Sequence, residues 1–380
     1  MEKYTAEKLD NLIMEVMKPY QYIGGEMRTN LDKDKAKERR HELLDAFTRM
    51  VSFAEENDVE AILIAGDFFD TKTVSALAVN TVKAAMENHP DIAFYYLRGN
   101  HDTDGFLSSL QKKPDNLFLF EDGWTAYALG KNDSVMLYGA ELLPDTSKAL
   151  QESFSPDPAK INIVMLHGQE MEALAKDKSE VINTKLFRNK GINYLALGHV
   201  HEYKRGELDG YGVYCYPGCL EGRGFDECGD HGFVVLDIDE EKETVKDTFV
   251  SNAYRHLFTV EADISGLVSS PEIVEKVKEC LEETGAVKED LIKIVLSGNV
   301  DVECEKDAEY VQHFFKDDYY FVKVYDETVF KVDYEKYMLD ESLKGEFVRN
   351  VKASLDLSEE EKGRIIRLGL HVIGGGKIEL

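Results

Sequence analysis

Four apolar runs in this 380-residue chain finish in residues able to hold a cation. They end at Gly66-Asp67-Phe68-Phe69-Asp70, at Gly99-Asn100-His101-Asp102, at His167-Gly168 and at Gly198-His199-Val200-His201. A carboxylate, an amide oxygen and several imidazoles make a mixed oxygen and nitrogen donor set, suited to Mn²⁺, Fe or Zn²⁺. The glycines beside them let backbone turn sharply and approach an ion closely. Taken singly, each group is ordinary. A Gly-Asp pair after a strand is usually a turn, and a lone histidine is more often a hydrogen-bonded core or surface residue. Four such endings in succession point to one shared site.

The elements that must carry these endings alternate along the chain. Residues 59–65, 92–97, 161–166 and 194–197 are short apolar runs with strand character. Residues 34–56 place Leu43, Leu44, Phe47, Met50, Val51 and Ala54 at helical spacing, and residues 74–88 form a second helical stretch. Strand and helix in alternation imply a parallel sheet buried on both faces, whose carboxyl-end rim gathers loop residues into one crevice. Between Tyr203 and Leu236 the pattern changes to short alternating strands with Gly-rich turns, which suggests antiparallel pairing. Beyond Tyr254 strand-like and helix-like segments suggest a small α+β domain. At the other end, Leu9, Leu12, Ile13, Val16 and Met17 sit at helical spacing behind Thr5, which predicts an amphipathic helix over residues 5–18.

Composition narrows the class. Forty-five Lys and Arg against 73 Asp and Glu give a net charge of −28, which disfavours tight non-specific nucleic-acid binding but leaves open a site whose phosphate contacts are metal ions. No apolar run is long enough to span a membrane. The charged N-terminus does not read as a signal peptide. Five cysteines in a chain this long argue for a reducing compartment, so a cytoplasmic location is expected.

The ordered motifs resemble the calcineurin-like metallophosphoesterase superfamily, whose signature runs DxH, GDxxD, GNHD/E, H, GHxH. Within it the chain is similar to SbcD-type DNA repair exonucleases. Arg98-Gly99-Asn100-His101-Asp102 fits that group, as does the loop from Tyr216 to Glu227, with its closing strand at 232–238. Asp263 to Gly266 and Leu343 to Arg349 resemble the smaller capping domain. The resemblance implies a four-layer αββα sandwich over residues 23–252 and a C-terminal α+β capping domain over 253–380, while the helical spacing at the N-terminus departs from it and puts an atypical helix over 1–22 in place of the family's first strand. It implies a metal-dependent phosphodiesterase acting on DNA in double-strand-break repair, with two divalent ions (Mn²⁺ above others), an SbcC-type SMC-like ATPase partner and a homodimer.

Carried over by residue, Asp67 bridges the two metals. Asn100, His167 and His199 complete the second site and His201 belongs to the first. His101 protonates the leaving oxygen with Asp102 orienting it, as general acid catalysis requires. Arg98 and Arg223, each inside a motif loop, are the candidates for phosphate contact. One departure stands out. With Gly24 and Gly25 in register with the family's DxHLGG, Tyr20 replaces the Asp and Tyr22 the His. A neutral phenol, with a pKa near ~10, is a poor ligand for such an ion, so the first site is expected to be defective.

Two further readings stay open: a phosphatase or small-nucleotide phosphodiesterase on the same fold, and a catalytically weak or inactive binding subunit of an SMC-like ATPase complex. Cys215, Cys219, Cys228 and His231 have zinc-site residue types, but their spacing matches no common knuckle and fits the Gly-rich loop instead. Lys33, Lys35, Lys37, Arg39 and Arg40 read as a solvated helix face. His41, His89, His256, His313 and His371 lack ligand spacing and read as structural.

Overall fold

The computed structural model describes residues 11–16, 31–69, 74–100, 102, 105–130, 133–171, 181–301, 304–331 and 334–374. The chain divides into two compact units, Met1–His256 and Leu257–Leu380.

The first unit is built on two six-stranded sheets. One comprises β1 (Asn11–Val16), β2 (Ala61–Ala65), β3 (Ala93–Leu97), β4 (Leu117–Leu119), β13 (Gly232–Asp239) and β14 (Thr244–Ser251), in the order β14-β13-β1-β2-β3-β4. The other comprises β5 (Thr125–Leu129), β6 (Val135–Gly139), β7 (Ile161–His167), β10 (Tyr194–Gly198), β11 (Lys204–Glu207) and β12 (Val213–Tyr216), in the order β11-β12-β10-β7-β6-β5. A small parallel pair, β8 (Gln169–Met171) and β9 (Val181–Asn183), stands apart.

Strand period sorts the core into layers. Alternate residues of β2 (Ala61, Leu63, Ala65) and of β3 (Tyr95, Leu97) meet Leu137, Ile163, Met165 and Ala196 of the second sheet. The intervening residues Ile62, Ile64, Phe94 and Tyr96 face the helices Lys33–Glu56 and Ala76–Asn88, whose Phe47, Met50 and Val82 complete an outer core. On the far side, Val164, Leu166, Leu195 and Leu197 pack with Ile182, Phe187 and Phe154, the residue that ends the short helix Ser147–Ser153. Helix, sheet, sheet and helix give the four-layer αββα architecture. Strands buried on both faces explain why each reads as a continuous apolar run. Asp32 caps the long helix, accepting from the N–H groups of Asp34 and Lys35 at 3.0 and 2.9 Å.

Two sequence expectations are corrected here. The N-terminal helix over 5–18 is not formed across Asn11–Val16, which is a strand. It lies between β13 and β2, antiparallel to the first and parallel to the second, with Ile13 opposite both Leu236 and Ala61. The reason is tertiary. A short apolar run satisfies helix and buried-strand periodicity equally, and only the slot between two apolar strands decides. The second correction concerns the basic run. Lys33, Lys37 and Arg40 are exposed, but Arg39 is buried. Its guanidinium donates to Glu42 at 3.0 Å, to Glu221 at 2.9 Å and to the Gly222 carbonyl at 2.6 Å. Arg255 takes the other side of Glu42 at 2.6 Å, and Arg49 the other side of Glu221 at 2.9 Å. Buried charge on the helix is tolerated because each ion has a paired, hydrogen-bonded partner.

The second unit carries a parallel three-stranded sheet of β15 (Leu257–Asp263), β16 (Leu291–Ser297) and β18 (Phe321–Asp326), with the pair β17 (Asn299–Asp301) and β19 (Val329–Lys331) beside it. Helices Ser270–Glu282 and Ala308–Phe315 connect the strands and supply Ile273, Val277 and Val311 to its core. Three later helices bury Tyr337, Val348, Ile366 and Leu370 together. Among the described residues, no helix is long and apolar enough to cross a membrane.

Candidate metal centre

β2 and β3 run parallel in one sheet, and β7 and β10 run parallel in the other, so four carboxyl ends can meet at one rim. Close approach of the two sheets there requires glycine. A Cβ on Gly198 would stand 1.6 Å from the Ala65 carbonyl oxygen, and one on Gly66 2.2 Å from His167 Nδ1. Asp67 and His199 adopt positive φ of 52° and 104°, conformations uncommon for a side-chain-bearing residue.

The outcome is a cluster of donors. Ligand atoms of Asp67, His167 and His199 all lie within 4.8 Å of one another. Asp67 and His167 are buried, and the His167 and His199 rings stand edge-on at 5.4 Å. His167 Nδ1 sits 2.9 Å from the Ala65 carbonyl oxygen. A carbonyl can only accept, so Nδ1 carries the proton and Nε2 presents the lone pair in the neutral ring. That Nε2 is 2.9 Å from Asn100 Oδ1 and 3.5 Å from Asp67 Oδ1. Three acceptor atoms thus converge, and a cation among them satisfies all three. The carboxylate, amide oxygen and imidazoles fit one divalent ion.

Asp102 ties two ligand loops together. Its carboxylate accepts from the Phe69 N–H at 3.1 Å and from the Gly99 N–H at 2.9 Å, and it hydrogen-bonds the Tyr96 hydroxyl. Burial pushes its pKa up to about 6, with the nearby Asp67 charge adding to the rise and the backbone N–H donors opposing it. His101, the expected proton donor, lies outside the described residues, as do Tyr20, Tyr22 and Asp70.

His201 is not part of the three-residue cluster. Its Nδ1 lies 2.6 Å from the Glu227 carboxylate. Arg223 clamps the same carboxylate through Nε at 2.9 Å and a terminal nitrogen at 2.6 Å, and through its backbone N–H at 2.9 Å. Burial works to raise the Glu227 carboxyl, yet His201 and Arg223 outweigh it and hold the group well below the usual carboxylate range. Arg98 is held likewise, two-pronged on the buried Glu141 at 2.7 and 2.8 Å. Both arginines therefore carry a carboxylate counter-charge. Of the zinc-type residues, Cys215 packs between the sheets while Cys219 meets His231 Nδ1 at 3.2 Å. Sequence reasoning missed Glu141, Glu227 and the Ala65 carbonyl, since no spacing rule links an acid to a partner tens of residues away.

Residues 39–203, which contain all the strand-end motifs, match the family model of the calcineurin-like phosphoesterases. In this region the chain is similar to the calcineurin-like phosphoesterases. DNA double-strand break repair proteins are among the chains it is similar to. The chain is 26% identical over 303 residues to the DNA double-strand break repair protein Mre11 of Methanopyrus kandleri, covering 69% of this chain and 64% of that one. It is 26% identical over 249 residues to the protein of the same name from Haloferax volcanii, covering 64% and 54%. With the uncharacterized metallophosphoesterase YhaO of Bacillus subtilis the identity is 27% over 199 residues, covering 50% and 48%. The chain thus spans between about half and two thirds of the length of these relatives.

Proposed function

We propose that this protein is a metal-dependent phosphodiesterase acting on DNA, a nuclease of double-strand-break processing. The observation that carries the reading is the convergence of Asp67, Asn100, His167 and His199 at the rim where the two sheets meet. These four residues would hold the ion. When bound, a divalent ion, Mn²⁺ in the first instance, supplies Lewis-acid stabilisation of charge on a phosphoryl oxygen. The chain's own groups do the rest. The Asp67 carboxylate balances cationic charge, and the Ala65 carbonyl keeps His167 in the tautomer that ligates through Nε2. Asp102 holds the loops of Asp67 and Asn100 in register, and His101 donates a proton to the leaving oxygen. The C-terminal unit serves as a cap on the DNA substrate, with an SbcC-type ATPase and a second copy of the chain as partners. The names of the Methanopyrus and Haloferax relatives support DNA as the substrate.

Tyr20 and Tyr22 favour a second reading, in which the chain binds DNA or an ATPase partner without cutting. One experiment separates the readings. Duplex DNA, p-nitrophenyl phosphodiesters and cyclic nucleotides are offered to the Mn²⁺-loaded chain, with metal per chain measured by elemental analysis. Mn²⁺-dependent cleavage of DNA alone supports the nuclease. Turnover of only the small esters would replace DNA by a small substrate, and bound metal without turnover of any would favour the binding subunit.

A further inference from the structure

Behind His201 four residues close a ring of hydrogen bonds. The Cys219 N–H donates to the His201 carbonyl at 3.0 Å. The His201 side chain meets Glu227 at 2.6 Å. The Glu227 carbonyl lies 2.9 Å from His231 Nε2, and His231 Nδ1 returns to Cys219 Sγ at 3.2 Å. Each donor in the ring is fixed by its acceptor. A carbonyl accepts from His231 Nε2–H, so His231 Nδ1 accepts from the thiol. An ionised Glu227 accepts from His201 Nδ1–H. Cys219, Glu227 and His231 are buried, and His201 is half-buried, so the ring has an inner wall and one side chain reaching outward. Gly218 makes the close approach possible: at φ +73° its missing Cβ would stand 2.8 Å from the His201 carbonyl.

We infer that Glu227 is the positioning residue for His201, holding it in the one tautomer whose Nε2 can ligate a cation. The inference rests on the reading of this rim as ion-binding, with His201 ligating at a second and weaker position beside the four residues that hold the first ion, and it extends that reading to a residue that no motif spacing marks. Arg223 then has a different job from phosphate contact. It donates to Glu227 through its backbone N–H, Nε and a terminal nitrogen at 2.9, 2.9 and 2.6 Å, and so fixes the carboxylate against the imidazole. A carboxylate behind a ligating imidazole is a general means of fixing ring orientation, and its loss typically costs 10–100-fold in metal affinity.

The test uses the full chain, ¹⁵N-labelled and metal-free, with two-bond ¹H–¹⁵N spectra. The His201 signals are assigned by their absence in His201→Asn. Wild type is expected to show the Nδ1–H tautomer alone, and Glu227→Met to show Nε2–H or a mixture. Zn²⁺ titration should shift the His201 Nε2 signal, with a midpoint roughly 10–100-fold higher in Glu227→Met. An Nε2–H tautomer in wild type would overturn the inference. So would an unchanged tautomer or midpoint in Glu227→Met, or a His201 signal that millimolar Zn²⁺ leaves unmoved. If Glu227→Met does not fold, Glu227→Gln replaces it, keeping the size and losing the charge. Its midpoint should also rise, and an unchanged one overturns the assignment. A chain that shows the expected tautomer and loads metal, yet cleaves no phosphodiester, would defeat the proposed activity and leave the role of Glu227 standing.

Discussion

His167 and Ala65 join the two sheets at the ligand cluster: the imidazole Nδ1 of β7 donates to the backbone carbonyl that ends β2, at 2.9 Å. One bond therefore sets both the spacing of the sheets and the tautomer of a ligand. It also leaves Nε2 facing the oxygens of Asn100 and Asp67, a donor set that fits a cation.

Mn²⁺ is accordingly expected to stabilise the folded chain. At a hundred-fold excess over its dissociation constant, a single-site ligand contributes about 2.7 kcal/mol, a rise of roughly 5–10 °C for a unit of this size. EDTA should reverse the rise, and His167→Phe should abolish it. Thermal melts with and without Mn²⁺ provide the check, and a melt that ignores the ion would count against the site.

The glycine at the head of the Gly-His-Val-His motif has a separate, steric role. In Gly198→Ala the new methyl would lie 1.6 Å from the Ala65 oxygen and 2.8 Å from His167 Nδ1. Neither neighbour is the loose end of a flexible side chain, so the strands must part. The expected cost is about 1–3 kcal/mol in urea unfolding, with loss of Mn²⁺ stabilisation. Gly123→Ala, where nothing stands within 4 Å, should stay within about 0.5 kcal/mol of wild type. Equal urea midpoints for the two variants would contradict this account.

Much of the rim was legible before the fold, because its chemistry is local. Glycine followed by Asp, Asn or His at the end of an apolar run is written in consecutive residues, and Asp67, Asn100, His167 and His199 meet as that pattern implies. What escaped notice depends on partners far along the chain. Asn11–Val16 has an ambiguous period and becomes a strand only because β13 and β2 flank it. Arg39 looks like one more surface cation until Glu221, 182 residues away, is seen to receive it. Glu227 is one acid among many until His201 is seen beside it.

The buried ion network makes a sharp stability prediction. Among the described residues, Arg255→Met leaves Glu42 the shared Arg39 as its cationic partner and removes a guanidinium that approaches within 2.6 Å. Breaking one member of such a buried set costs about 3–5 kcal/mol, because a charge stays behind without its full complement. Lys83→Ala, which removes a more exposed partner of Glu87, should cost no more than about 0.5 kcal/mol. Chemical denaturation of both variants compares them directly, and similar losses would show that the network is not desolvated as described.

Acid should expose a different contribution. Asp209 accepts from the N–H groups of Asn189, Tyr211 and Gly212 at 2.6, 2.8 and 2.9 Å. Burial favours its neutral form, but these donors prevail and lower its pKa. A lowered carboxyl stabilises the fold above its unfolded value of about 3.9, and the benefit disappears as pH falls through the folded value. Asp209→Ala should thus be less stable than wild type at neutral pH, with the gap closing below about pH 4. A gap that does not change with pH would remove the carboxylate from the explanation.

The departure from the family pattern at Tyr20 and Tyr22 leads to the last prediction. Both residues lie outside the described segments, but β1 ends at Val16 and runs parallel to β2, so a central strand stands upstream of them. An engineered restoration of the missing ligands therefore has a strand to follow, which a helix over residues 5–18 would have denied it. With phenols in place of an anion and an imidazole, wild type should hold closer to one ion than two per chain. Nuclease activity should be weak, since a two-ion site needs both ions to stabilise the attacking and leaving oxygens. Tyr20→Asp with Tyr22→His adds a carboxylate and an imidazole, and both the metal content and the Mn²⁺-dependent cleavage of duplex DNA should rise. Tyr20→Asn with Tyr22→His supplies no anion and should gain less of each. Elemental analysis after gel filtration gives the stoichiometry, and a labelled duplex gives the rate. Two ions per chain and robust cleavage in the unaltered protein would defeat the prediction, and would mean that other residues supply the ligands these tyrosines lack.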